Sequence, residues 1–230
     1  MSTLVLCPSR GRPSQAEELL ETFVQTRRGN ASAILFVVDA DDPTADDYPD
    51  AATVILDPPP GNMATALNTS AMHPAIGMSG DWDILSSVGD DHRFLTPGWD
   101  VAIEEVLRTR GGGFAYGDDM GQGSRLPTGV FISASIIRAL GWMALPGCRH
   151  LYIDNAWKAL GEVSGRLFYL PNVKIEHRHP TFGKAEWDEG YKRVNSSVTY
   201  AHDQEVFRAW VADGLERDAR TVRAAVGEAA

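Results

Sequence analysis

Residues 33–42 read Ala-Ile-Leu-Phe-Val-Val-Asp-Ala-Asp-Asp. The apolar run leaves neither face polar, the pattern of a strand covered on both sides in a parallel sheet. It then breaks into carboxylates, as a strand does where it reaches the sheet edge. The same plan extends in both directions from this stretch. Residues 3–7 form a shorter apolar run that ends in Pro8-Ser9-Arg10-Gly11-Arg12. Pro13 suits the first turn of a helix, and Ala16, Leu19, Leu20, Phe23 and Val24 recur at helical spacing behind it. Residues 53–56 make a third strand, stopped by Asp57-Pro58-Pro59-Pro60-Gly61, and a helix follows over 63–72. Residues 83–88 make a fourth strand, ending in Gly89-Asp90-Asp91-His92-Arg93. Trp99, Ile103, Val106 and Leu107 mark the next helix. Strands alternating with helices predict an α/β fold with a mostly parallel central sheet flanked by helices.

The second half is less regular. Residues 114–116 and 130–133 read as short strands around a Gly- and Asp-rich loop at 117–129. A short helix is expected over 135–140 and another over 154–163, with Ala156, Ala159, Leu160 and Val163 as its buried stripe. Residues 166–170 and 173–177 read as a hairpin turning at Pro171-Asn172. Residues 181–200 are polar with weak periodicity, a lid or an extension. One helix from Asp203 to about Ala225 closes the chain, with Val206, Phe207, Trp210 and Val211 on one face and fraying expected at the last residues.

The whole chain has 230 residues, 43% of them hydrophobic and 23% charged. This is an ordinary globular balance, which argues against disorder, collagen and a disulfide scaffold. No window approaches the roughly 20 apolar residues of a membrane span, and the first residues lack the features of a signal peptide. Cys7 and Cys148, the only cysteines, read as reduced core thiols of a cytoplasmic protein. The net charge of −10 disfavours tight nonspecific binding to nucleic acid.

Ligands of open α/β sheets bind at the carboxyl ends of the strands. Arg10 and Arg12, the Asp39–Asp42 cluster and Asp90-Asp91-His92 all fall at such ends. Gathered carboxylates repel unless a cation joins them, and oxygen ligands favour Mg²⁺ or Mn²⁺. Arginine beside such an ion suits a phosphorylated ligand. Solvated turns are the plainer alternative for one such cluster; two on adjacent tips favour a site. Period two puts Val173, Ile175, His177 and His179 on one strand face, leaving His177 as either a ligand or a core residue. Asp154 is either a helix N-cap or a general base. The chain has no Gly-x-Gly-x-x-Gly after the first strand, no Walker A lysine loop and no Gly-x-Ser-x-Gly elbow.

The ordered set Cys7-Pro8-Ser9-Arg10-Gly11-Arg12-Pro13, Val37-Val38-Asp39-Ala40-Asp41-Asp42, Asn62 with Leu67-Asn68, Val88-Gly89-Asp90-Asp91-His92, Pro97-Gly98-Trp99-Asp100, Tyr152-Ile153-Asp154 and Ile175-Glu176-His177 resembles a GT-A fold glycosyltransferase of the family 2 type, notably small phage-encoded members. The resemblance covers roughly residues 3–190. It implies a single GT-A-like domain over 1–200, with a donor half of about 1–100 and an acceptor half of about 101–200, and a C-terminal helix over 201–230 packed on it. It implies a nucleotide-diphosphate sugar donor, a UDP-sugar favoured, and Mn²⁺ or Mg²⁺. Carried over, Pro8, Ser9, Arg10, Arg12, Asn62 and Asn68 contact the nucleotide sugar, Asp39 holds base or ribose, and Asp90 touches ribose or metal. Asp91 and His177 become the metal ligands. Asp154 becomes the base of an inverting transfer to a hydroxyl on a virion protein or modified DNA, with no membrane partner.

Two departures stand out. Gly89 occupies the first acidic position of the usual metal motif, and Ile153 replaces the first of two catalytic acids. Residues 117–129 and 179–191 are the expected lids, with Arg178, His179 and Lys184 either at the diphosphate or on a solvated basic surface. Trp142, Tyr152 and Trp187 either line an acceptor cleft or pack. The competing functions are a nucleotidyltransferase of similar fold, which usually carries a richer Gly and Lys/Arg loop after the first strand, and a non-catalytic nucleotide-sugar binding protein, which has no need of Asp154.

Overall fold

In the computed structural model, which describes residues 1–29 and 31–227, eight strands form one curled, mostly parallel sheet in the order β3-β2-β1-β4-β7-β6-β8-β5. The strands are β1 (Thr3–Ser9), β2 (Ser32–Asp39), β3 (Thr53–Leu56), β4 (Ile84–Ser87), β5 (His92–Phe94), β6 (Phe114–Asp118), β7 (Val130–Ser133) and β8 (Leu167–His177). The helices are α1 (Pro13–Thr26), α2 (Met63–Met72), α3 (Trp99–Arg110), α4 (Ala134–Leu140), α5 (Ile153–Ser164), α6 (Glu189–Val194), α7 (Ser197–Asp213) and α8 (Leu215–Ala225).

The first four strands pair in parallel through β1, as the alternation of strand and helix requires. Alternate side chains of β1 feed opposite cores. Leu4 and Leu6 face α2, α4, α5 and α8, whereas Val5 and Cys7 face α1 and α3. β1 runs three residues beyond Leu6, the last of its residues to pair with β4, opposite Ser87. Pro8 therefore sits where β4 asks for no N–H, and the overhang opens a cleft beside the β4 tip.

Three sequence expectations change. Residues 167–177 are one strand rather than a hairpin. β8 pairs in parallel with β6, slips register after Leu170, and then pairs antiparallel with β5. The exposed Pro171 and Asn172 fall in this bulge, where a missing N–H costs nothing. The C-terminal helix is two helices broken at Gly214, where any Cβ would lie 2.6 Å from the Trp210 ring. On α5 the buried stripe is Ile153, Ala156, Trp157, Leu160, Gly161 and Ser164, and Val163 is exposed. The indole of Trp157 donates to the Met143 carbonyl, which lets it replace Val163 as the inward residue. Residues 181–200 carry α6 and the start of α7. The fraying expected at the end of the chain falls outside the described residues. Both cysteines are buried and unpaired. Among the described residues no helix is long and apolar enough to cross a membrane.

Candidate functional site

At the carboxyl ends of β1, β2 and β4 lies a cavity of about 550 Å³. Pro8, Ser9, Arg10, Arg12, Asp39, Asn62, Asp90, Asp91, Asp154 and His177 all line it. Asn68 does not. It lies on the core side of α2, where its side-chain carbonyl accepts from the N–H groups of Met143 and Ala144 and its amide donates to the Ala144 carbonyl. Its hydrogen-bonding capacity is spent on fixing the 143–144 loop. Asn62 caps α2, accepting from the Thr65 N–H at 2.9 Å.

The floor is a charge network. Ser9 Oγ donates to Asp90 Oδ2 at 2.6 Å and lies 2.9 Å from the Tyr48 hydroxyl. Arg12 reaches Asp90 at 3.2 Å and Asp188 at 2.6 Å, with its guanidinium 4.0 Å above the Tyr191 ring. Arg10 pairs with Asp39 and Asp41. From behind, the buried Arg93 donates to the carbonyls of Asp90 and His92, and to Glu18 and Gln15. This pins the acidic turn in place. Burial, then the charge of Asp91, pushes the Asp90 carboxyl up to about 6. Burial acts the same way on Asp91, but the hydrogen bond from His177 outweighs it, with the charges of His177 and His92 adding to the fall, and holds that carboxyl well below the ordinary range.

Asp91, His92 and His177 converge because β5 and β8 set the two histidines directly opposite each other. Their rings stack with centroids 4.2 Å apart. Asp91 Oδ2 lies 3.2 Å from His177 Nε2, and Asp91 Oδ1 lies 3.3 Å from His92 Nδ1. The Gly89 N–H donates to that same His92 nitrogen at 3.1 Å. A nitrogen accepting there carries a lone pair, and it faces the lone pairs of a carboxylate. His92 Nε2 and His177 Nδ1 are buried without hydrogen-bond partners. One ligand atom from each of the three residues falls within 4.8 Å of the others. A carboxylate with two imidazoles could hold a divalent metal cation. Gly89 is needed for this approach, since a Cβ there would come within 2.5 Å of Asp91 Oδ1.

Asp154 is not the N-cap of α5. Tyr152 holds that position at a φ of 62°, rare for a bulky residue. It is held by stacking on Phe207 and by a hydrogen bond from Gln204 to its hydroxyl. Asp154 follows inside the first turn, accepting from the Asn155 N–H. Burial raises its pKa, against the backbone N–H groups and His177, with Asp119 adding to the rise.

Residues 117–129 form a fastened wall. Asp119 accepts from the N–H groups of Gly121, Gln122 and Gly123 and from the Thr128 hydroxyl, while its carbonyl takes the His177 N–H. Across the mouth, α6 brings the Tyr191 hydroxyl onto Asp91 Oδ2 at 2.7 Å. His179 lines the cavity, but Arg178 pairs with Glu18 and Glu176, and Lys184 with Glu176. Trp142 packs on Trp210, and Tyr152 on Tyr200 and Phe207, so both belong to the α7 interface. Trp187 is half exposed against His179 and Tyr191.

Sequence reasoning leaves open whether Asp90-Asp91 or Asp91-His92 carries the metal, and it missed Tyr48, Tyr191, His150 and Arg93. The signal for His92 was its place two residues from Asp90 at a strand tip. The others lie in segments without periodicity or behind the motif.

No protein-family model matches the chain, and no curated protein matches it in sequence. Solved structures do match in fold. The mannosyltransferase PcManGT from Pyrobaculum calidifontis, in complex with GDP-Man and Mn²⁺, aligns with a TM-score of 0.60 at 14% identity, over 97% of this chain and 73% of that one. S. aureus TarS 1–349 in complex with UDP-GlcNAc aligns with a TM-score of 0.55 at 10% identity, over 98% of this chain and 79% of that one. The same TarS segment with UDP gives 0.57 at 11% identity, over 92% and 71%. The curled sheet, its strand order and the cleft at its carboxyl edge are those of a GT-A-like fold.

Proposed function

We propose that the chain is a metal-dependent glycosyltransferase that moves a sugar from a nucleoside-diphosphate donor to a hydroxyl acceptor. The observation that carries this reading is the convergence of Asp39, Asp90, Asp91, His177 and Asp154 on one cavity at the carboxyl edge of the sheet. The nucleotide sugars named with PcManGT and TarS support it by analogy of fold.

In this reading Asp91 and His177 hold a divalent ion, Mn²⁺ or Mg²⁺, with His92 as the third candidate. When bound, the ion neutralises diphosphate charge and improves the leaving group. Asp39 and the 8–12 loop hold the nucleoside, and Arg12 contributes positive charge beside Asp90. Asp154 takes the proton of the acceptor hydroxyl while that oxygen bonds to the anomeric carbon. The bond from that carbon to the diphosphate oxygen breaks, and the nucleoside diphosphate leaves. A single displacement inverts the anomeric configuration. α6 and residues 179–191 cover the donor and exclude water.

The test is thermal denaturation with Mn²⁺ and UDP, GDP, CDP, ADP, dTDP and their sugar conjugates. A metal-dependent rise in Tm with one diphosphate is the expected outcome and names the base of the donor, because a ligand that binds only the native state stabilises it by mass action. No shift with any nucleotide, with or without metal, overturns the reading.

A further inference from the structure

Residues 149–151 cross the cavity just before α5. Their three N–H groups donate to one carboxylate, that of Asp203, at 3.0, 2.9 and 2.8 Å. Asp203 is fully buried, so this strap is held at a fixed place in the wall. The strap presents the half-buried side chain of His150 to the cavity. Several polar groups on the floor are committed to protein partners: Arg12 to Asp90, Asp39 to Arg10, and Asp91 to His177 and Tyr191. Among the described residues the His150 ring makes no hydrogen bond and no ring contact. It is a positioned polar group whose donor and acceptor are both unused.

Its chemistry narrows what it can bind. Burial pushes its pKa down to about 4, with His179 and Arg12 helping and the charges of Asp91 and Asp203 opposing. A neutral imidazole carries one N–H and one lone pair. A hydroxyl, which also gives one hydrogen and accepts another, is its complement. A phosphate offers only acceptors and would favour the imidazolium. His150 lines the same cavity as Asp90, Asp91 and Arg12, so its ring faces the space that a sugar attached to a diphosphate would enter.

We propose that His150 recognises a hydroxyl of the sugar carried by the nucleotide donor, giving a hydrogen bond through one ring nitrogen and accepting through the other. The inference rests on the nucleotide-sugar reading above and adds to it a residue that selects the sugar.

The test compares the wild-type chain with His150→Phe and His150→Gln by calorimetry in Mn²⁺. Each is titrated with UDP, GDP, CDP, ADP and dTDP and with their sugar conjugates. Phenylalanine keeps a planar ring without polar atoms, whereas glutamine keeps a donor and an acceptor. All three proteins should bind the diphosphate alike. The Phe variant should bind the nucleotide sugar about tenfold more weakly, the size of one lost hydrogen bond to a buried group, and Gln should recover most of that loss. The His150 ring ¹⁵N resonances should move with the nucleotide sugar and not with the diphosphate. If the wild type binds no nucleotide at all, the function proposed above falls and this inference with it. If the wild type binds and Phe matches it on the nucleotide sugar, His150 alone is excluded. An equal loss for diphosphate and sugar makes the residue structural and also overturns the assignment.

Discussion

The Tyr191 hydroxyl donates to Asp91 Oδ2 at 2.7 Å, joining a short helix late in the chain to the strand-tip carboxylate proposed as a metal ligand. His177 Nε2 points at the same oxygen from 3.2 Å. A cation on that oxygen competes with the tyrosine proton. Tyr191→Phe removes the competitor while keeping the ring under Arg12. A hydrogen bond to a charged group contributes about 1.5 kcal/mol or somewhat more, so Mn²⁺ should bind the variant about tenfold more tightly. Electron paramagnetic resonance of free Mn²⁺ during a titration reads this directly. Unchanged or weaker binding means that the tyrosine keeps its bond when the metal is present.

Asp154 gives two coupled predictions. Its pKa is raised, chiefly by burial, so its ionisation at neutral pH costs the folded state free energy. Asp154→Asn removes that cost and should raise Tm at pH 7. The same change should lower turnover by a factor of about 10²–10⁴, as for a lost general base, with donor binding retained. In the wild type, the rate should fall on acidification through a pKa above that of an ordinary aspartate, because only the carboxylate accepts the proton. A variant with unchanged turnover removes Asp154 from the mechanism.

Gly89 stands where the resemblance to family 2 glycosyltransferases leads one to expect an acid, and the structure supplies a steric reason for glycine. A Cβ at 2.5 Å from Asp91 Oδ1 cannot be accommodated without moving that carboxylate. Gly89→Ala should therefore weaken Mn²⁺ binding about tenfold or more while the chain still folds, since the displaced group is a side chain beside a cavity. Gly89→Asp, which supplies the acid usual at this position, should do no better. Recovery of tight binding in the Asp variant would mean that the turn yields.

The front half of the fold was readable because β1 and β2 are apolar runs covered on both faces and the strand tips are marked by charge. β5 was not, since the three residues His92–Phe94 are too short for any period to register. β8 read as a hairpin because Pro171-Asn172 is turn chemistry locally, and only the pairing with β6 and β5 turns it into a bulge. The roles of Asn68 and Trp157 were illegible for a similar reason. Asn68 found partners in the 143–144 loop, and the Trp157 indole found the Met143 carbonyl. Neither bond has a signature in a single sequence. Tyr191 reaches Asp91 across 100 positions from a polar segment without periodicity, a contact that only the closed chain creates.

Asp203 connects that long-range architecture to stability. Its carboxylate takes three backbone N–H groups of the strap that carries His150, and His202 Nδ1 lies 2.8 Å away. Burial alone would raise its pKa, but these hydrogen bonds win and lower it. A depressed carboxylate contributes stability that is full above its unfolded pKa of about 3.9 and is lost as pH falls through the lower folded value. Asp203→Asn replaces an acceptor-only group by one whose NH₂ must face N–H donors. The cost should be about 3 kcal/mol at pH 7, the scale of breaking a buried charged hydrogen-bond cluster. It should shrink as pH falls below about 3.9, where the wild-type carboxyl is protonated first in the unfolded chain and loses part of its advantage in the folded one. Urea denaturation of both proteins at pH 7 and near pH 3 measures the difference. A penalty that stays constant with pH would show that Asp203 stabilises the strap by shape and not by charge.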